Sequence, residues 1–278
     1  MITIENGYRI SIMLTETCNL RCSHCYMSAN TKGKTLSKEE IDNLIDNLPI
    51  NCLRISITGG EPYMCMDKLY YMLKKIKNKF YKQKPEVRVE TNGMFFYHDD
   101  SSIIKEVNNL INLGVSTLRL SDDEFHEQGG LDIKKLRNIE KVVKDNNLDI
   151  VVSTLIQDKV VALGRAKALK INKLDKKNCL NRKESLIIPY FYTTIDGEVS
   201  TCAWKCAPSL GNCFKNSWDE LVQNLNLPIQ EAILNSDIEK VAKIVSNGDA
   251  NRFNYLKNII QTKGQCMACK EMFKGKYE

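Results

Sequence analysis

A chain of 278 residues with 43% apolar side chains is long enough to bury a large core, which excludes an intrinsically disordered protein. Forty Lys and Arg oppose 34 Asp and Glu, and the excess of +6 is scattered, as at Lys74, Lys75, Lys77, Lys79 and Lys82 on one solvated helical run, so no nucleic-acid partner is expected. No apolar run approaches the ~20 residues that span a bilayer, and the opening residues lack a signal-peptide succession, so the expectation is a cytoplasmic protein with no membrane partner.

Residues 1–175 alternate short β-branched runs with longer amphipathic stretches, a pattern of parallel strands joined by helical crossovers. Strands are expected at Tyr8 to Leu14, Leu53 to Thr58, Glu86 to Thr91, Val115 to Ser121 and Leu148 to Leu155, with a sixth near Asn172 to Leu174. Ser37 followed by Glu40 predicts a capping box, and Ile41, Leu44, Ile45 and Leu48 then share one helical face. Further helices are marked by Leu69, Leu73, Ile76 and Phe80, by Ile103, Val107 and Leu110, and by Leu136, Ile139 and Val143. Beyond residue 175 the pattern changes. Asp196-Gly197 is a hairpin signal between Ile187 to Ile195 and Val199 to Cys202, and short helices follow from Trp218.

Eleven cysteines form no disulfide framework in a reducing compartment, which leaves metal or redox chemistry. Cys18, Cys22 and Cys25 follow the first strand at x3 and x2 spacing, so three thiolates can hold three irons of a cubane cluster and leave the fourth open. A zinc site with His24 as fourth ligand also fits this spacing.

The loop, ending in Tyr26, resembles the signature of the radical S-adenosylmethionine (SAM) superfamily, and ordered motifs extend the resemblance through residues 1–175. Thr58-Gly59-Gly60-Glu61-Pro62 is similar to the motif that receives the SAM amino group, where glycines admit a ligand and Glu61 accepts from an ammonium. Asn92, Ser121 and Asp122 close strands three and four, where barrel active sites assemble. Arg165, in Leu163-Gly164-Arg165-Ala166, is the expected partner of the SAM carboxylate. The resemblance implies an α/β fold, a partial (β/α)6 TIM-like barrel over residues 1–175, with a small C-terminal α+β region over residues 176–278. It also implies a SAM-binding 4Fe-4S cluster that yields a 5′-deoxyadenosyl radical, fed by an electron donor such as flavodoxin or ferredoxin.

The C-terminal cysteines resemble the twitch or SPASM-like extension, which implies a second 4Fe-4S auxiliary cluster on Cys179, Cys202, Cys266 and Cys269. Cys206 or Cys213 is an alternative to Cys179, and a structural zinc fits the same residues. Peptide-modifying enzymes of the superfamily, including epimerases, are the nearest resemblance, so the expected substrate is a ribosomally made peptide undergoing epimerisation or crosslinking. In an epimerase Cys206 or Cys213 would be the thiol donor, although Ala203 stands where the epimerase pattern has that thiol. The core begins within about eight residues, so a peptide substrate is expected either to dock on the core or to use a separate leader-peptide-binding partner. A radical dehydrogenase of an aminocyclitol or sugar is the alternative. A non-catalytic metal-binding scaffold is the remote one.

Overall fold

In strand β1 (Tyr8–Thr15) the fully buried Tyr8, Ile10, Ile12 and Leu14 alternate with Arg9, Ser11 and Met13. Successive side chains on a strand point to opposite faces, so one face of β1 is apolar and the other carries polar groups. The computed structural model, which describes residues 1–157, 160–169 and 187–274, repeats that division across a sheet. Strands β2 (Cys52–Gly59), β3 (Glu86–Thr91), β4 (Thr117–Ser121) and β5 (Val151–Leu155) lie parallel in the order β5-β4-β3-β2-β1. Ile55, Ile57, Val89, Leu118 and Leu120 continue the buried face.

Helices α1 (Lys38–Asn47), α2 (Met66–Lys79), α3 (Asp100–Asn112) and α5 (Ile133–Asp145) supply the crossovers, and α4 (Glu124–Gln128) is a single short turn between β4 and α5. The capping box at α1 forms as expected: the Glu40 amide donates to Ser37 Oγ at 3.1 Å and the Ser37 amide donates to Glu40 Oε2 at 2.8 Å. Each fully buried isoleucine contributes roughly 1.5–3 kcal/mol, against at most about 1 kcal/mol for an exposed ion pair. The helix-covered face therefore holds the sheet together, and the polar face is free to serve a site.

Two strands start later than the residues alone predict. A left-handed turn at Gly114 (φ +90°) and another at Asn147 (φ +51°) keep Val115 and Leu148 in the connections. The expected strand at Asn172 to Leu174 lies outside the described residues. Strand β6 (Tyr190–Thr193) pairs parallel with the free edge of β1, and β7 (Glu198–Ser200) and β8 (Gly211–Asn212) add antiparallel strands. Gly197 makes the β6–β7 turn at φ +83°.

Helices α6 (Trp218–Gln223), α7 (Pro228–Leu234), α8 (Ile238–Ser246), α9 (Ala250–Lys263) and α10 (Gln265–Met272) follow among the described residues. The last four build a second apolar cluster around Ile233, Val241, Leu256 and Met272. Among the described residues no helix is long and apolar enough to cross a membrane.

Candidate functional site

Because β1 to β4 are parallel, their C-terminal ends meet on one edge, and the loops carrying the expected site residues leave from that edge. The cysteine loop is shaped by its own backbone. The amide of Cys18 donates to the Asn30 carbonyl at 2.8 Å, and turns close from Cys25 to Cys22 and from Ser28 to Cys25 at 3.3 Å each. The amides of Leu20 and Ala29 point at the sulfurs of Cys18 and Cys25, each at 3.4 Å. Such donors favour a thiolate ligand over a thiol.

Burial pushes the Cys18 thiol up to about 11 and the Cys22 thiol up to about 12, and neighbouring thiols of the loop add to both shifts. Cys18 and Cys22 thus favour the protonated form in the empty loop, and a metal bound there must displace those protons.

His24 does not join them. Its ring stacks on Phe125 at 4.9 Å and meets the edge of His126 at 4.6 Å. Asp123 Oδ1 accepts from the His126 amide at 3.0 Å and pairs with His126 Nδ1 at 2.8 Å, and ligand atoms of His24, Asp123 and His126 lie within 4.8 Å of one another. Burial and the neighbouring His126 hold His24 down at about 4. With His24 drawn to the end of β4, the three thiols fit an iron cluster with one open iron better than a four-ligand zinc site.

Gly59 and Gly60 lie where β2 runs closest to the exit of β1. The amides of Gly60 and Glu61 donate to the carbonyls of Thr15 and Thr17 at 2.7 Å each. A Cβ at Gly59 would sit 2.2 Å from the Thr15 oxygen, and one at Gly60 would sit 2.2 Å from the Thr17 oxygen. Approach of β1 backbone is thus sufficient reason for both glycines.

Glu61 is buried and accepts from the Tyr63 amide at 3.1 Å, the Thr91 hydroxyl at 2.7 Å and the Asn92 amide at 2.7 Å. Burial raises its pKa, and these three bonds oppose the rise. A carboxylate offers about four acceptor positions, which leaves about one for a ligand. The Asn92 side chain donates to Asn19 Oδ1 at 2.8 Å, linking β3 to the cysteine loop. Ser121 is paired with Leu155, and Asp122 accepts from Arg137 Nε at 3.2 Å.

Residues 12–155 match the Radical SAM superfamily. The chain belongs to that superfamily. The antilisterial bacteriocin subtilosin biosynthesis protein AlbA of Bacillus subtilis (strain 168) is 28% identical over 157 residues, which are 52% of this chain and 32% of AlbA. The match thus reaches about a third of AlbA's own length. Putative peptide biosynthesis protein YydG of the same strain is 24% identical over 254 residues, 78% of this chain and 77% of YydG. Among solved structures, BtrN in complex with AdoMet and 2-DOIA superposes with a TM-score of 0.61 at 15% identity, covering 86% of this chain and 91% of BtrN. At that identity the likeness is one of fold, the expected partial TIM-like barrel.

In this radical SAM protein Arg165 clamps the cysteine loop. Its Nε donates to the Cys22 carbonyl at 2.8 Å, its Nη1 to the Ala29 carbonyl at 2.7 Å, and its amide to the Cys25 carbonyl at 3.0 Å. Two of the five guanidinium donors are therefore spent on the loop. Tyr26 is partly buried, and its ring meets Trp204 edge-on at 5.3 Å. Burial raises its hydroxyl pKa, and Tyr26, next in sequence to Cys25, packs against the second apolar cluster that contains Cys202 and Cys206.

Cys202, Cys206, Cys266 and Cys269 are all buried in the second apolar cluster, the last two at i and i+3 on α10. Cys213 packs in the main core instead, and burial pushes its thiol up to about 12. Cys179 lies outside the described residues. A cavity of about 520 Å³ opens between the cysteine loop and the C-terminal region, lined in part by Glu16, Tyr26, Trp204, Lys205 and Cys206. Burial lowers the pKa of Lys205, which faces Glu16 at 3.9 Å.

Reading residues alone missed three features here. Gly129 leaves room for Cys22, whose sulfur would lie 2.8 Å from a Cβ at that position, and only the fold brings them together. Lys205 enters the cavity from a left-handed backbone (φ +53°), which has no sequence signal in a lysine. The third, a row of charged side chains on the open face of the sheet, was visible as strict alternation in Arg9-Ile10-Ser11, Arg54-Ile55-Ser56, Arg88-Val89-Glu90 and Arg119-Leu120-Ser121.

Proposed function

We propose that this radical SAM protein is a cytoplasmic peptide-modifying enzyme with two iron-sulfur centres. What supports a peptide substrate is the likeness to YydG, which extends over more than three quarters of both chains and so includes the C-terminal region as well as the core. Cys18, Cys22 and Cys25 would hold the SAM-binding 4Fe-4S cluster. When bound and reduced, cluster and SAM supply a 5′-deoxyadenosyl radical able to take hydrogen from an unactivated carbon.

The chain's own residues do the rest. The amides of Leu20 and Ala29 stabilise thiolate charge, Arg165 fixes the loop, and the remaining acceptor position of Glu61 receives the SAM ammonium. Tyr26, Asn92, Ser121 and Asp122 line the edge where the nucleoside and methionine portions lie. The auxiliary 4Fe-4S cluster is assigned to Cys202, Cys206, Cys266 and Cys269, since Cys206 is buried with the other three. That assignment makes Cys206 a ligand and leaves Cys213 as the remaining one of the two donor candidates. The electron donor is a flavodoxin or ferredoxin, and a separate protein would present the peptide's leader.

Anaerobic reconstitution tests the reading in stages. Two cubanes give about eight irons per chain and Cys206→Ala about four. The reduced protein is expected to convert SAM to 5′-deoxyadenosine; fully loaded protein that does not do so overturns the enzyme reading. Incubation with a short peptide encoded beside the gene should then change its mass or, in heavy water, its isotope content. Turnover of an aminocyclitol or sugar, with the peptide unchanged, would instead establish the dehydrogenase.

A further inference from the structure

Strand register collects the charged side chains of the open sheet face into one patch. Arg9 lies beside Arg54 and Tyr190, Arg54 beside Glu86, Ser56 beside Ser11 and Arg88, and Glu90 beside Arg119. On β1 to β4 this face therefore carries four arginines against two glutamates. Glu86 serves two of the cations, accepting from Arg54 Nε at 2.6 Å and from an Arg88 terminal nitrogen at 2.8 Å, while Glu90 faces Arg119 at 3.4 Å.

Arg88 Nε is buried and has no hydrogen-bond partner among the described residues. A buried donor left unmet is costly, so a site that keeps one has a use for it. Between the arginines the floor is small and polar, Ser11 and Ser56, and at one side the rings of Tyr190 and Tyr192 stack at 4.7 Å. Two of the strands that carry the patch run into the candidate site, β1 into the loop of Cys18 and β3 into Asn92.

We propose that this face is the substrate-recognition surface and that it selects a substrate carrying anionic groups, carboxylate or phosphate, met by Arg9, Arg88 and Arg119 at successive levels along the serine floor. Guanidinium suits both oxyanions because its planar donors match them in pairs. The proposal rests on the peptide reading for its preferred form, an acidic side chain of the peptide. It is tested by binding rather than turnover, so failure of SAM cleavage and failure of anion recognition are separate results.

The cluster-loaded protein is titrated with acetyl-Gly-Glu-Gly-amide, with its Gln counterpart and with inorganic pyrophosphate, followed by ligand-observed NMR. The glutamyl peptide is expected to bind at least tenfold more tightly than the glutaminyl one, and Arg9→Met and Arg119→Met to remove the difference while iron content and melting temperature stay unchanged. Arg119→Lys should keep part of it. Tight pyrophosphate binding with no preference for Glu over Gln supports the same surface with a phosphorylated substrate. Wild-type protein that neither prefers Glu nor binds pyrophosphate overturns the proposal, as does a preference that survives both Met variants.

Discussion

Arg165 donates from Nε to the carbonyl oxygen of Cys22 across 2.8 Å, although 143 positions separate them. Since Nη1 also reaches Ala29, one guanidinium ties the middle of the cysteine loop to its exit. Lysine has the charge without the fork. Arg165→Lys is expected to cost about 2 kcal/mol and to lower iron retention at Cys18, Cys22 and Cys25. Thermal melts of the iron-free protein and iron counts after desalting measure the two effects; unchanged iron retention would show that the clamp is dispensable.

Gly60 and Gly248 separate steric from conformational cost. Gly60→Ala drives a Cβ against the Thr17 carbonyl and should destabilise by about 3 kcal/mol. Gly248 has nothing within 4 Å but sits at φ +86°, so Gly248→Ala should cost only about 1–2 kcal/mol. Urea unfolding of both variants checks the order.

Glu61→Gln replaces an acceptor of three internal hydrogen bonds with a group that turns an N–H toward at least one of those donors. Stability is expected to fall by about 2 kcal/mol, and SAM affinity of the reconstituted protein to fall as well. Loss of stability with SAM affinity unchanged would confine Glu61 to a structural role.

His24 titrates near 4 in the fold against about 6.5 when unfolded. Between those values the unfolded chain binds more protons, so stability rises with pH there and is lost as pH falls from about 6.5 toward 4. The Asp123 pKa is lowered, chiefly through His126 against the opposing effect of burial, and its contribution is lost in the same direction at more acid pH. Denaturant midpoints of the iron-free protein across this range should show the slope, and His24→Phe should flatten its upper part.

The parallel core was legible because each strand alternates, or runs, in Ile, Val and Leu, and each crossover helix repeats an apolar stripe. Cys18, Cys22 and Cys25 were legible because their spacing is local. Arg165 was picked out as a site residue, yet its contacts to Cys22 and Ala29 span more than a hundred positions and leave no local trace. Gly59 and Gly60 suggested a ligand's approach, whereas the nearest atoms belong to Thr15 and Thr17, a neighbour named only by strand order. Among the C-terminal cysteines spacing could not choose between Cys206 and Cys213, because packing and not sequence distance puts one in each apolar cluster.

The pairing of β6 with β1 bears on how the gene can be divided. The strand that feeds the cysteine loop has β2 on one side and β6 on the other, and Phe191 and Trp218 pack against Tyr8 at its start. A fragment ending at residue 175 would expose that edge together with an uncovered aromatic ring, and is expected to aggregate when expressed alone. Soluble, monomeric fragment would show otherwise. Residues beyond 175 are thus part of the scaffold that holds the strand leading into the cysteine loop.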